Sequence, residues 1–201
     1  MYAQFRDPRW LIIIVGLYLL PGCTGVPDGV KPVKGFQLER YLGRWYEIAR
    51  LDHSFERGMS SVSATYSMRK DGGVRVLNRG FKNDLQQWSE AEGKAYFVEG
   101  SDTGHLKVSF FGPFYGSYVI FELDSQNYEY AFVSGMNTDY LWLLSRTPQV
   151  SDELLDVFKT TAESYGFNIE NLIMVQQPER SELKRLVGFK IDVAWKIEWF
   201  G

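Results

Sequence analysis

Eight short runs of alternating apolar and polar residues, joined by turns too brief to hold a crossover helix, constrain this chain more than any other feature. The clearest is Ser61 to Met68, with Val62, Ala64, Tyr66 and Met68 on one face and Ser61, Ser63, Thr65 and Ser67 on the other. Period two with one polar face marks a half-buried strand. Asp71-Gly72-Gly73 then gives a hairpin signal, and Val74, Val76 and Asn78 alternate with Arg75, Leu77 and Arg79. Glu90 to Val98, Leu106 to Phe110, Tyr118 to Leu123, Tyr128 to Ser134 and Tyr140 to Arg146 follow, and Arg44 to Asp52 precedes the series. Short connections require antiparallel neighbours, because parallel pairing needs long crossovers. The expected fold is all-β: an eight-stranded antiparallel up-and-down barrel, closed so that no edge is left exposed. The 16% aromatic content suits strands.

One helix is expected after the eighth strand. Ser151 is its N-cap, Asp152 and Glu153 sit where the helix dipole favours negative charge, and Gly166 stops it. Leu154, Leu155, Phe158, Ala162 and Tyr165 recur at helical spacing, so the helix should pack outside the barrel. Leu172 to Val175 reads as a further short strand.

The first residues read as an export signal. Arg6 and Arg9 precede the apolar run Trp10 to Leu20, which falls short of the about 20 residues a permanent span needs. Leu20-Pro21-Gly22-Cys23 resembles a bacterial lipobox, which implies cleavage before Cys23 and acylation of its thiol and new amino group. Cys23 is the only cysteine, and a thioether removes an odd thiol from an oxidising compartment. Several acyl chains together anchor a protein stably to a membrane. Thr24, in place of Asp, resembles the sorting signal for the outer membrane. The chain therefore divides into a signal peptide (1–22), an acylated cysteine and flexible tether (23–35), a barrel domain (36–178) and an extension of unassigned role (179–201). The tether reading rests on three Gly and two Pro in residues 24–35.

Gly43-Arg44-Trp45, set in Tyr41 to Arg50, and Arg146 at the end of the eighth strand resemble the paired signatures of lipocalins. In that family the Trp plugs the closed barrel end and the Arg packs across it, as a guanidinium can on an indole. A third signature, Thr-Asp-Tyr, is spelled by Thr138 to Tyr140, but in the wrong turn. Its role is carried to the degenerate stretch at Asp124 and Tyr128, leaving Thr138 to Tyr140 as turn chemistry. Residues 50–58, 93–97 and 109–116 resemble the bacterial outer-membrane branch of the family, akin to its apolipoprotein D-like members. The resemblance implies a lipid-anchored protein on the periplasmic face of the outer membrane that binds, stores or transports a fatty acid or lysophospholipid.

Strand parity assigns the ligand-facing wall to Val62, Ala64, Tyr66, Met68, Val76, Asn78, Ala95, Phe97, Val108, Phe110, Val119, Phe121 and Trp142. Small inward residues, among them Gly93, leave room for a ligand or for larger side chains opposite. Glu47 shares the parity of Trp45, which makes it either a buried carboxylate with a raised pKa or the partner of an Arg at the barrel end. His53 and His105 are the only histidines and stand apart, so neither a metal site nor a cofactor is expected. No nucleophile-elbow motif appears, and the single cysteine lies in the lipobox, so the chain reads as a binder, not an enzyme. Two other readings stay open: an enzyme acting on a small apolar substrate, and an envelope scaffold with a vestigial pocket. A net charge of −3 offers no footprint for nucleic acid. In the extension, Ile191, Val193, Trp195, Ile197 and Trp199 alternate with polar residues, a pattern compatible with pairing to a second copy, with a membrane interface, or with an accidental tail.

Replacing Cys23 by Ser should abolish acylation and release the exported protein from the membrane fraction. The mass of the mature N-terminal peptide reads the first outcome, and fractionation the second.

Overall fold

The computed structural model describes residues 24–178, so the signal peptide, Cys23 and the extension after Pro178 lie outside the described residues. A short helix α1 (Leu38–Tyr41) leads into eight strands: β1 (Gly43–Arg50), β2 (Met59–Met68), β3 (Val74–Lys82), β4 (Gln87–Phe97), β5 (His105–Ser109), β6 (Gly116–Leu123), β7 (Tyr130–Ser134) and β8 (Leu141–Ser145). Helix α2 (Asp152–Ser164), a 3₁₀ turn (Ile169–Asn171) and a two-residue strand β9 (Ile173–Met174) complete it. Each strand from β2 to β8 pairs antiparallel with the next. β1 bonds both β8 and β2, and the sheet closes on itself.

The closure has a seam. β1 meets β2 only over Gly43–Tyr46, after which β2 bulges between Ser60 and Ser63. Ser61 takes a left-handed φ of 54° at that bulge. Into the widening gap comes β9, pairing with Ala49 and Arg50. Ser61 donates its N–H to the Gln176 carbonyl at 2.7 Å. The Gln177 side-chain amide then donates to both Glu47 O (2.7 Å) and Val62 O (2.8 Å), bridging the two strands.

Helix α2 forms where expected. The Ser151 hydroxyl accepts from Leu154 N at 3.3 Å, and Gly166 ends the element at φ 81°. Its apolar face covers the outside of β6 to β8. Phe158 and Ala162 are fully buried against a layer that includes Val119, Phe121, Phe132, Leu141 and Leu143. A second core lies inside the barrel, around Trp45, Tyr66, Val74, Val76, Ala95, Leu106, Ile120 and Val133. Two layers on opposite faces of β6 to β8 explain why those strands are apolar on both sides.

Residues 24–35 are not a flexible tether. Val30 is buried under α2's layer, and Val33 exchanges backbone hydrogen bonds with Ile120 and Gly104 at 2.9 Å. Apolar Val26, Val30 and Val33 override the Gly and Pro content by packing along the wall.

Truncating Phe158 to Ala should lower unfolding stability by about 3–5 kcal/mol, since its ring stands edge-on to Phe132 in a site with no solvent access. Denaturant titration would measure this.

Candidate functional site

The interior is built upward from a stopper. Gly43 adopts φ 92°, and a Cβ there would come within 3.4 Å of Arg146 Nη1, so glycine serves both the turn and the close approach. Trp45 follows, fully buried, its Nε1 donating to Tyr41 O at 2.8 Å. The Arg146 guanidinium lies 3.9 Å from the indole centre and donates to three carbonyls: Arg40 O (2.7 Å), Arg44 O (2.9 Å) and Tyr128 O (3.2 Å). The β6–β7 turn is organised by Asp124. Its carboxylate accepts from the backbone N–H of Gln126, Asn127 and Glu129, and Tyr128 takes φ 59°. The Tyr128 hydroxyl accepts from Gln37 N at 3.0 Å, tying that turn to α1. Thr138 to Tyr140 sit in the β7–β8 turn, where Asp139 N donates to Asn137 Oδ1.

Above the stopper lies a polar floor that sequence reasoning did not assemble. Tyr118 OH is 2.7 Å from Tyr41 OH and 2.8 Å from Tyr66 OH. Burial raises all three phenol pKa values, so the hydroxyls stay protonated. Three O–H protons meet two mutual hydrogen bonds, which leaves one donor unused within the triad. Tyr41 lies on α1 and Tyr118 on the parity the sequence reading rejected, so only Tyr66 was anticipated.

Most of the anticipated wall does face inward. Tyr66, Val76 and Ala95 belong to the barrel core, and Ala64, Phe97, Val108, Phe110 and Trp142 pack against it. Val62 is buried, 3.3 Å from where a Gly80 Cβ would sit. Asn78 lies between Ala64 and Ala91 in the sheet, its Oδ1 without a partner. Three positions are corrected. Val119 and Phe121 face outward under α2, while Tyr118 and Ile120 point in. With both faces of β6 apolar, alternation there carries no sign of which side is inside. Met68 stands at the β2–β3 hairpin, 51% exposed, beyond the end of the enclosed wall. Gly93 leaves no vacant room, because a Cβ there would fall 2.9 Å from the Phe110 ring that covers it.

Ala64, Asn78, Phe97, Val108, Phe110 and Trp142 point inward yet remain only half-buried, whereas Phe132, Leu143 and Phe158 on the outer layer have no exposure at all. The inside of the barrel is thus less closely filled than its flank.

Toward the other end, a charged cluster lines the wall. Glu47 Oε1 accepts from Arg50 Nη1 at 2.7 Å, both side chains buried. Arg50 Nη2 donates to Glu56 O at 2.8 Å, which folds the β1–β2 loop (residues 51–58) back onto the barrel. Trp142 Nε1 donates to Glu56 Oε2 at 3.2 Å, and His53 Nε2 lies 3.0 Å from the same oxygen. His53 also stacks on Phe55 with ring centres 3.9 Å apart. Burial, followed by the neighbouring Glu56 carboxylate, pushes Glu47 well above the usual carboxylate range, despite Arg50. Glu56 is held below that range: burial opposes this, but His53 and the Trp142 hydrogen bond outweigh it. Both expectations for Glu47 therefore hold, with Arg50 as the partner.

The fold agrees with known proteins. A family model described as a lipocalin-like domain matches residues 36–177. The chain belongs to the lipocalin family. It is similar to the outer membrane lipoprotein Blc of Vibrio cholerae serotype O1, 62% identical over 84% of this chain and 99% of that protein. It is 50% identical to the protein of the same name from Escherichia coli K12, over 80% of this chain and 92% of that one. Among solved structures, insecticyanin from the tobacco hornworm Manduca sexta aligns at a TM-score of 0.61 and 22% identity, covering 77% of this lipocalin and 88% of that chain, a likeness of fold alone.

A raised folded-state pKa means the native state binds the Glu47 proton more tightly than the unfolded chain. That contribution is fully present below the unfolded value, about 4.3, and is lost as pH rises through the folded value. Glu47→Gln, which mimics the protonated form, should flatten the decline in melting temperature expected of the native protein as pH rises above the unfolded carboxyl value. Thermal unfolding followed by circular dichroism across that range checks it.

Proposed function

We propose that this lipocalin is an outer-membrane lipoprotein, acylated at Cys23 and facing the periplasm, that binds and carries a single-chain lipid, either a fatty acid or a lysophospholipid. The observation that carries the reading is the half-exposed apolar wall above a sealed floor. An apolar side chain that points into a barrel and still has free surface offers that surface to a guest. The name outer membrane lipoprotein, shared by the Vibrio and Escherichia relatives, supports the location.

Magnitudes suit such a guest. Burying about twelve methylenes contributes roughly 10 kcal/mol at about 0.8 each. Association costs of about 4–15 kcal/mol offset much of it; at the low end about 6 kcal/mol remains, an affinity of tens of micromolar from the chain alone, and one hydrogen bond to a charged head group, at about 1.5–3 kcal/mol, brings it to the micromolar range. Two polar features support a guest with a polar end: Asn78, whose buried Oδ1 lacks a partner, and the tyrosine floor, which has one hydroxyl proton not used within the triad. Binding is favoured over catalysis because the buried carboxylates are engaged, Glu47 by Arg50 and Glu56 by Trp142 and His53.

A displacement titration with a fluorescent fatty acid tests the proposal. The native protein should bind at micromolar concentration or better. Val108→Trp, which fills the interior with an indole, should weaken binding by about tenfold or more while leaving the far-ultraviolet spectrum unchanged. Absence of binding by the native protein, or equal binding by the folded variant, would overturn it.

A further inference from the structure

Ten large apolar side chains stand exposed among the described residues, and six of them cluster at one end: Phe55, Leu85, Trp88, Phe111, Phe114 and Met136. These belong to, or flank, the β1–β2, β3–β4, β5–β6 and β7–β8 connections, which an up-and-down barrel brings to the end opposite Trp45. The β5–β6 loop is the most pronounced. Phe111 is 82% exposed and Phe114 75%, and Phe110 to Tyr115 contains no charged residue. Bare apolar side chains in several loops around one opening need an apolar surface to meet.

An independent observation says which surface. The described chain begins at this same end: a Cβ on Gly25 would lie 3.7 Å from the Met136 carbonyl oxygen. From there it is fastened. Val30 N bonds Pro27 O at 3.1 Å, and Val33 and Lys34 are pinned to Ile120, Gly104 and Thr103. Cys23 is two residues before Gly25, so at most about 7 Å of extended chain separates them. With no slack, acyl chains on Cys23 would draw the mouth, not the flank or the stopper, to the bilayer.

We infer that this lipocalin stands mouth-down on the membrane, with Phe111 and Phe114 inserted at the lipid interface, so that its ligand passes between bilayer and barrel without crossing water. The inference rests on the reading of Cys23 as acylated. The acyl chains supply attachment, and the aromatic rim supplies orientation, since aromatic side chains favour the interface. The exposed charged residues of the other mouth loops, Asp52, Arg57, Asp84 and Asp139, lie outside the Phe110–Tyr115 stretch and would remain at the head-group level.

The test uses the mature acylated protein in phosphatidylethanolamine–phosphatidylglycerol vesicles. Because Cys23 is consumed by acylation, Phe114→Cys and Gln126→Cys each offer one thiol for an environment-sensitive fluorophore, at the mouth and at the β6–β7 turn of the closed end. The label at 114 should be quenched by nitroxide lipids and shielded from iodide, and the label at 126 should behave in the opposite way. Equal access of iodide to both would overturn the inference, as would a label at 114 shielded from iodide but untouched by nitroxide lipid, the mark of a second protein copy. The double variant Phe111→Ser, Phe114→Ser should slow fatty-acid transfer out of vesicles by about tenfold and leave affinity for the dissolved fatty acid unchanged. Unchanged transfer would count against the rim. The acyl chains are read separately, by mass and by flotation with vesicles. Their presence alongside failed labels defeats the orientation alone, and their absence defeats both readings.

Discussion

The stacked pair of Trp45 and Arg146 is the constraint on which the rest of the barrel depends. A closed sheet needs one end blocked if it is to be a cup instead of a pipe, and a flat indole blocks more area than any other side chain. The indole alone would leave the carbonyls of α1, β1 and the β6–β7 turn unpaired. Arg146 bonds three of them while lying across the ring, so one guanidinium joins the α1–β1 stretch, the β6–β7 turn and the end of β8. The Tyr41, Tyr66 and Tyr118 floor is then laid on a rigid base.

The opposite end follows a different logic. There the wall carries charge, and the β1–β2 loop is drawn inward by Arg50, which bonds a carboxylate on its own strand and a carbonyl in the loop. Burying charge without a partner would cost several kcal/mol. Here Arg50 partners Glu47, and Trp142 and His53 partner Glu56. The barrel thus has an apolar waist between a hydroxyl-bearing floor and an ionic wall, which suits a guest with one oily chain and a polar group at an end.

How much of this was legible depended on what lay behind each strand. From β2 to β5 the outer face is solvated and bears pairs such as Arg75 with Glu92, so alternation assigned Ala64, Val76, Ala95 and Val108 to the inside. On β6 the helix buries the outer face too, and Val119 and Phe121 were placed a residue out of phase. The meeting of Glu47 with Glu56 depends on how an eight-residue loop folds, which no periodicity encodes. Residues 24–35 misled through composition: Gly and Pro are as compatible with a strap along a wall as with a loose linker. The stopper was readable because Trp45 and Arg146 are tied to fixed positions in their strands.

The seam beside β1 has a mechanical meaning. A cylinder laced all round by main-chain bonds has a fixed girth, but this one is buttoned along part of its length by β9 and the amide of Gln177. A bulky guest pressing outward will strain that button before it strains a full ladder. The tolerance of the cup for ligand width is therefore set less by its lining than by the few hydrogen bonds that residues 173–177 make across the seam.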